Sequence, residues 1–429
     1  MYDLTVIGAG WAGFNAAIRT KDLGLRVCLI EKAQIGGTCL NLGCIPTKTL
    51  IQSAKAFALA KKSQTFGLEA INPKINFLKA QERKEEIILQ LRKGMEFMLK
   101  GIDFLNAEAQ ILSSEELKAG PQTIKTKFIL IASGSRPIEL NKFKFDAKNI
   151  LSSDDILNLK EIPGSLLIIG GGVIGCEFAS LFSTLGTQVT IVEKMAQLLP
   201  GEDREIARKI ETVFKKKGIK VNTNTDATTF DLKDYRLILV CVGRAPKTDA
   251  LALEKLGLNL DKGKIVVDEY LKTNISNIYA AGDCTGKTML AHFAAYQGEI
   301  AAQNIVNPNN PKKADNPNIP NCIFTEPEIA SVGLTEEMAA EKGIDIAINK
   351  FDFLSSGMAR ILDETDGFIK IISDKKTQRI LGGSIIGPRA TELFSNLTLA
   401  VSSQLKIPDL RNTIFAPPTL SESIHEALK

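Results

Sequence analysis

Asp3-Leu4-Thr5-Val6-Ile7-Gly8-Ala9-Gly10-Trp11-Ala12-Gly13 is the stretch that decides the fold. A short apolar run, Leu4 to Ile7, feeds glycines spaced G-x-G-x-x-G, and Phe14 to Leu23 then carries a helical pattern. A second apolar run, Arg26-Val27-Cys28-Leu29-Ile30, closes on Glu31. Strand, glycine turn, helix, strand and acid form a βαβ unit. In such a unit Gly8 makes the tight turn, Gly10 admits a pyrophosphate close to the backbone, and Gly13 lets helix and strand touch. Glu31 stands where a carboxylate accepts a hydrogen bond from a ribose hydroxyl. The glycines alone would say little; their context carries the reading.

The pattern recurs. Leu166-Leu167-Ile168-Ile169 leads into Gly170-Gly171-Gly172-Val173-Ile174-Gly175, a helix through Leu185, the strand Gln188 to Val192, and Glu193. Two such units call for two nucleotides, most economically a flavin and a nicotinamide. Gly170, Gly172 and Gly175 repeat the roles of Gly8, Gly10 and Gly13. Glu193 would accept from a free 2′-hydroxyl and repel a 2′-phosphate, which favours NADH over NADPH. Lys194 weakens that only slightly.

Between the two units lies Gly37-Thr38-Cys39-Leu40-Asn41-Leu42-Gly43-Cys44, followed by Ile45-Pro46-Thr47-Lys48. On a straight α-helix the two cysteine Cα atoms would sit roughly 8.6 Å apart. A disulfide wants about 4.4 to 6.8 Å. The segment must bend, and Asn41 and Gly43 tolerate unusual backbone angles. A strained pair beside a nucleotide fold reads as a redox device more than a staple; the plain alternative is two unrelated buried thiols. Seven cysteines form no even framework and fit a reducing cytoplasm. Cys28, Cys176, Cys241, Cys284 and Cys322 read as ordinary buried thiols. With only His292 and His425, and no close Cys-x-x-Cys, no metal site is expected.

Composition sets outer bounds. A chain of 429 residues exceeds one ordinary core, so two to four domains are expected. Hydrophobic content of 44% and charged content of 24% describe a globular protein, and no apolar run reaches the ~20 residues of a membrane span. The apolar N-terminus lacks the basic leader of a signal peptide and reads as a buried strand. The net charge of +4 is mixed along the chain, without the aromatic-laced basic patch of a nucleic-acid binder. Phe77 to Lys100 has apolar positions at helical spacing and predicts a packed amphipathic helix. Val306 to Asn321, rich in Pro and Asn, predicts a linker.

Further motifs complete a resemblance. They are Ile131-Ala132-Ser133-Gly134-Ser135-Arg136-Pro137, Val242-Gly243-Arg244-Ala245-Pro246, Ile278-Tyr279-Ala280-Ala281-Gly282-Asp283, Met289-Leu290-Ala291-His292 and Phe324-Thr325-Glu326-Pro327-Glu328-Ile329-Ala330-Ser331-Val332-Gly333. Over nearly its whole length the chain resembles the class I pyridine nucleotide–disulfide oxidoreductases, and among them the dihydrolipoamide dehydrogenases. The resemblance implies an α/β protein with two Rossmann-like dinucleotide-binding domains, for FAD and NAD, and a C-terminal α+β dimerisation domain. It places an FAD-binding domain at 1–148, an NAD-binding domain at 149–250, a return to the FAD domain at 251–315, and the interface domain of a homodimer at 316–429. Only some twenty residues separate Gly218 from Cys241, where the family carries a β-meander; this reads as a trimmed surface excursion without consequence for the chemistry.

The resemblance also implies roles. Cys44 becomes the flavin-side, charge-transfer thiol and Cys39 the outer thiol that meets a disulfide or dithiol substrate. Lys48 and Glu177 match an ion pair beside the flavin; a solvated Lys48, or a Glu177 that merely sits at a helix N-terminus, is the plainer reading. Asp283 matches the carboxylate that bonds the ribityl chain, and Thr38, Ser133, Gly134 and Gly243 join the cofactor-binding set.

The C-terminus departs from the family. Its members end in His-Ala-His-Pro-Thr-Leu-Ser-Glu, whose second histidine is the general base and whose glutamate orients it. Here Phe415-Ala416-Pro417-Pro418-Thr419-Leu420-Ser421-Glu422 keeps Glu422 and puts Pro417 where the base belongs. A pyrrolidine ring moves no proton, and general-base catalysis is worth about 10² to 10⁴-fold. His425, three residues past Glu422, is expected to be an exposed tail residue, and His292 to be structural or close to the flavin. Three readings stay open: a dihydrolipoamide dehydrogenase-like disulfide reductase, a reductase of a metal ion, quinone or oxidant, and a weakened redox-sensing or binding relative. Intact glycines, Cys39, Cys44, Lys48 and Glu193 argue against the third.

Overall fold

The computed structural model describes residues 1–69 and 72–429. Strand Tyr2–Ile7 pairs in parallel with Val27–Glu31 on one side and Gln122–Ile131 on the other, and helix α1 (Trp11–Asp22) makes the crossover. The sheet continues outward through Asp103–Asn106 at one edge and through the hairpin strands Ala109–Ser113 and Glu116–Ala119 at the other. Leu4, Leu29, Ile129 and Leu130 are wholly buried, as a parallel sheet covered on both faces requires. After the second nucleotide unit the chain returns to this sheet, where Ile278–Ala280 pairs with Gln122–Ile131.

The second sheet has five strands, all parallel, in the order Lys220–Asn222, Gln188–Val192, Ser165–Ile169, Leu237–Val240, Ile150–Leu151. Between Asn222 and Leu237 there are only two short 3₁₀ turns, Ala227–Thr229 and Leu232–Asp234, in place of a meander. Phe230, Leu232 and Tyr235 pack there against the cluster of Leu167, Ile238 and Val240, so the shortened excursion still covers the sheet.

A third, antiparallel sheet of five strands (321–323, 328–333, 380–387, 368–374, 346–352) carries short helices and forms the α+β C-terminal region. Its core joins Phe353, Phe394 and Leu397 to the terminal Ile424 and Leu428. Lys370 on this sheet is almost fully buried, and its ammonium binds Asp203 at 2.8 Å and Glu205 at 2.9 Å, with Glu336 as a third partner. Asp203 also caps the helix Arg204–Lys216. A buried cation paired in this way pins the second nucleotide region to the third sheet.

The helix expected over 77–100 spans Phe77–Met98. It buries Phe77, Ala80, Ile88 and Met95 and leaves Leu89, Leu91, Phe97 and Met98 exposed. No regular element lies between Val306 and Asn321; Asn304 ties that stretch through both the N–H and the carbonyl of Lys312. Among the described residues no helix is long and apolar enough to cross a membrane.

Candidate active site

The two cysteines sit on two short helices meeting at a corner. Helix α2 (Gly37–Asn41) carries Cys39, and α3 (Cys44–Lys61) begins with Cys44. The corner is Leu42 and Gly43, with Gly43 at φ −148°, ψ −107°. The bend required by the cysteine spacing is therefore present at Gly43. Asn41, also expected to bend, is helical instead. Its amide donates to the carbonyls of Ile35 and Gly37 at 3.0 and 2.8 Å, and its side-chain oxygen accepts from Arg92 at 2.6 Å.

Both cysteines are thiols here and partly buried. They share a proton unequally: the Cys39 thiol donates to Cys44, which lowers Cys44 to about 7, with help from the Lys48 charge and against burial and Glu177. Cys39 is pushed up by the same bond, by burial and by the charge on Cys44. In the reduced pair the thiolate resides on Cys44.

Lys48 lies one turn beyond Cys44. Its Nζ meets both oxygens of Glu177, at 2.8 and 2.7 Å, on helix α4 (Val173–Thr184) of the second nucleotide unit. Glu177 is buried and also accepts from the Phe324 N–H at 2.9 Å, while the Lys48 ammonium stands 4.8 Å from the centre of the Phe324 ring. Residues from all three sheet regions thus converge on one carboxylate. No acid lies in the first turn of α4, so Glu177 is not a helix-terminal acid, and Lys48 is not a solvated surface lysine.

The two glycine turns are built alike. Gly8 and Gly170 adopt φ of +101° and +111°, where a Cβ would collide with the carbonyls of Ala132 and Cys241. Gly13 and Gly175 likewise leave no room for a Cβ against the carbonyls of Gly8 and Gly170. Glu31 accepts from the N–H groups of Ala9 and Ala33, both at 2.8 Å; Glu193 accepts from Gly171 at 2.6 Å and Met195 at 2.7 Å. Each acid therefore braces its own turn. The helices behind them start at Gly10 and Gly172 without a side-chain cap, which leaves amide groups available to an anion.

A cavity of about 1200 Å³ runs from one turn to the other. Gly10, Thr38, Cys39, Cys44, Lys48, Gly134 and Asp283 line the first part; Gly170, Gly172, Glu177, Glu193 and Gly243 line the second. Gly8, Gly13, Glu31, Ser133 and Gly175 lie outside the lining, in or behind the turns. The Ser133 hydroxyl is buried without a protein partner.

Residues that sequence reasoning passed over complete the site. Ser135 donates to Asp283 at 2.6 Å and accepts from Arg244 Nε at 2.8 Å, while Arg244 also donates to the Ser135 carbonyl at 3.0 Å. The motifs around 133 and 243 point to Ser133, Gly134 and Gly243, yet it is the neighbouring Ser135, itself held by Arg244, that binds Asp283. Trp11 and Cys322 line the cavity as well. His292 lines it too, with Nε2 engaged by the Pro320 carbonyl at 2.9 Å.

The tail is elsewhere. None of residues 415–429 lines the cavity of its own chain, so Glu422 is not brought to Cys39 within one protomer. Pro417 is exposed. His425 is not the exposed tail residue expected: its ring lies 6.1 Å from that of Phe415, and its Nδ1 is buried without a partner.

Comparison with known proteins agrees with this geometry. The family described as pyridine nucleotide-disulphide oxidoreductase matches residues 2–298, and the dimerisation domain of the same family matches 319–428. A dihydrolipoyl dehydrogenase of Bacillus subtilis (strain 168) is 40% identical over 450 residues, covering 99% of this chain and 95% of that protein. The HOCl-induced flavoprotein disulfide reductase RclA from Escherichia coli superposes with a TM-score of 0.89 at 31% identity, covering 100% of this chain and 99% of the other. The Cu(II) complex of that reductase superposes with a TM-score of 0.86, at 31% identity and 99% coverage of both chains. The dimerisation domain supports a homodimer, and exposed Ile414 and Leu399 on the third-sheet region fit burial against a second copy. The uncapped α1 start, the orphaned Ser133 hydroxyl and the length of the cavity suit FAD at the first turn and NAD(H) at the second. The chain belongs to the pyridine nucleotide–disulfide oxidoreductase family and is an FAD-dependent, NAD-linked flavoprotein of the dihydrolipoyl dehydrogenase kind.

Proposed function

We propose that this enzyme takes electrons from NADH and delivers them, through the Cys39–Cys44 pair, to a thiol-reactive acceptor of the Cu(II) class. One observation carries the choice of acceptor: Pro417 occupies the position of the family's general base. A disulfide or dithiol substrate must exchange a proton at sulfur in each turnover, and a positioned base contributes about 10² to 10⁴-fold to that step. A metal ion binds thiolate directly and asks for no such base.

In this reading Gly8, Gly10, Gly13, Glu31, Thr38, Ser133, Gly134 and Asp283 hold FAD, with Ser135 and Arg244 fixing the Asp283 carboxylate. Gly170, Gly172, Gly175, Glu193 and Gly243 hold NADH. A bound flavin supplies hydride acceptance from NADH and passage of an electron pair to the disulfide. Lys48, clamped by Glu177, keeps a positive charge beside Cys44 and favours its thiolate. Cys39 is the outer thiol. Its proton leaves to water as the pair gives up two electrons, re-forming the disulfide and converting two Cu(II) to two Cu(I). Overall, NADH and two Cu(II) yield NAD⁺, one proton and two Cu(I). Glu422, with no imidazole to orient, has no part in this route. A dithiol kept reduced by NADH suits the cytoplasm.

The dihydrolipoyl dehydrogenase relatives favour lipoamide as the competing acceptor. Anaerobic NADH oxidation with Cu(II) and a Cu(I) chelator, compared with lipoamide, separates the two. The expected result is a Cu(II) rate at least about 10²-fold above the lipoamide rate, the lower end of what a missing base costs. Equal or faster lipoamide turnover would overturn the proposal.

A further inference from the structure

The loop between strand Gln188–Val192 and helix Arg204–Lys216 rests on the second glycine turn. The Leu199 N–H donates to the Gly171 carbonyl at 2.8 Å, and a Cβ on Gly171 would meet the Leu198 side chain at 2.6 Å. Near its end the loop carries Glu202, which is 8% exposed. The Glu202 Oε1 accepts from the side-chain amide of Asn321 at 2.6 Å, and its Oε2 is buried without a partner. Burial raises the pKa of this carboxyl. A half-satisfied acid inside the protein is costly, and the bond it keeps goes to the third sheet. Asn321 opens strand Asn321–Ile323, opposite Ser331. Just beyond that strand, the Phe324 N–H binds Glu177 at 2.9 Å and the Phe324 ring faces the Lys48 ammonium. Pro200, Asn321, Cys322 and Phe324 all line the cavity. The strand therefore borders it between the second glycine turn and the Lys48–Glu177 pair.

We propose that Asn321 binds the nicotinamide riboside half of NADH, its side-chain oxygen accepting a hydrogen bond from a ribose hydroxyl or the carboxamide N–H, and that Glu202 positions it. This rests on the second glycine turn holding the pyrophosphate. From that turn the nicotinamide ring has to reach a flavin beside Cys44 and Lys48, so the riboside half must pass along the strand that Asn321 opens. A side-chain amide has donors on its nitrogen and an acceptor oxygen, and binds either way round until a neighbour fixes it. The Glu202 Oε1 can only accept, whether the carboxyl is charged or neutral with its proton on Oε2. It therefore holds the Asn321 nitrogen and leaves the oxygen for a donor. Glu202 does not line the cavity and acts only through Asn321.

The test uses the full-length, flavin-loaded, oxidised enzyme. Calorimetry measures the binding of three ligands: NAD⁺, its acetylpyridine analogue, which has a methyl in place of the carboxamide nitrogen, and ADP, which lacks the riboside half. Asn321→Ala is expected to weaken NAD⁺ binding about three- to tenfold, the loss of one hydrogen bond, and to leave ADP binding within about twofold. A loss confined to NAD⁺ identifies the carboxamide as the donor; an equal loss with the acetylpyridine analogue identifies a ribose hydroxyl. Unchanged NAD⁺ binding, or an equal loss of ADP binding, overturns the inference and leaves the dinucleotide on the second turn. ADP that fails to bind the native enzyme overturns both. Glu202→Leu should lose as much NAD⁺ affinity as Asn321→Ala, and Glu202→Gln, which keeps an oxygen acceptor, should recover most of it. Equal losses in the two Glu202 variants, or none in Glu202→Leu, contradict the positioning role.

Discussion

The cysteine corner at 36–48 and the tail at 415–425 have been treated oppositely. At the corner every part needed for dithiol chemistry is present and braced. Gly43 makes the bend, Asn41 and Arg92 hold α2, and Lys48 is fixed by both oxygens of a buried Glu177. At the tail the scaffold remains and the reactive group is gone. Glu422 persists, Pro417 is exposed, and His425 is folded against Phe415. On the function proposed above, the difference makes electron delivery to sulfur and proton handling at the substrate separable, and the chain is expected to perform the first without the family's device for the second.

Removing the intact half should have the largest effect. Cys44→Ser is expected to bring NADH-linked turnover with any acceptor to background and to erase the long-wavelength absorbance of the NADH-reduced enzyme; an unchanged spectrum would remove Cys44 from its inner position. Next in size is the charge beside it. Lys48 lowers Cys44 and Glu177 raises it, so the two substitutions should act with opposite sign. Cys44 labelling in the reduced enzyme should titrate near pH 7, move to higher pH in Lys48→Met and to lower pH in Glu177→Gln. A common direction would show that the ion pair acts only as a structural brace. The smallest effect belongs to the tail: Glu422→Gln should change the Cu(II) rate by no more than about twofold, the ±0.5 kcal/mol scale of a neutral surface change. A larger loss would mean that the tail still takes part.

Much of this was legible in the sequence because it is local or periodic. The repeated glycine turns, each with an acid closing the next strand, need only a window of about thirty residues. The bend between Cys39 and Cys44 follows from helix geometry and disulfide reach. The pairing of Lys48 with Glu177, 129 residues apart, was legible only through family resemblance. Three features were not legible. Ser135 and Arg244 hold Asp283 through contacts between loops distant in the chain, which leave no spacing signal. Trp11 joins Cys39 in one cavity because two glycines allow the helix starts to touch, a fact of packing. His425 was misjudged because a lone histidine near a chain end says nothing of the Phe415 ring it folds onto.

The separation of the two functions is tested most directly by Pro417→His. Dihydrolipoamide oxidation by NAD⁺ and Cu(II) reduction by NADH are measured in the native and substituted proteins. The account predicts that histidine raises the dihydrolipoamide rate by about 10² to 10⁴-fold, while Cu(II) reduction stays within about twofold. Fast native dihydrolipoamide turnover that histidine does not improve would contradict it.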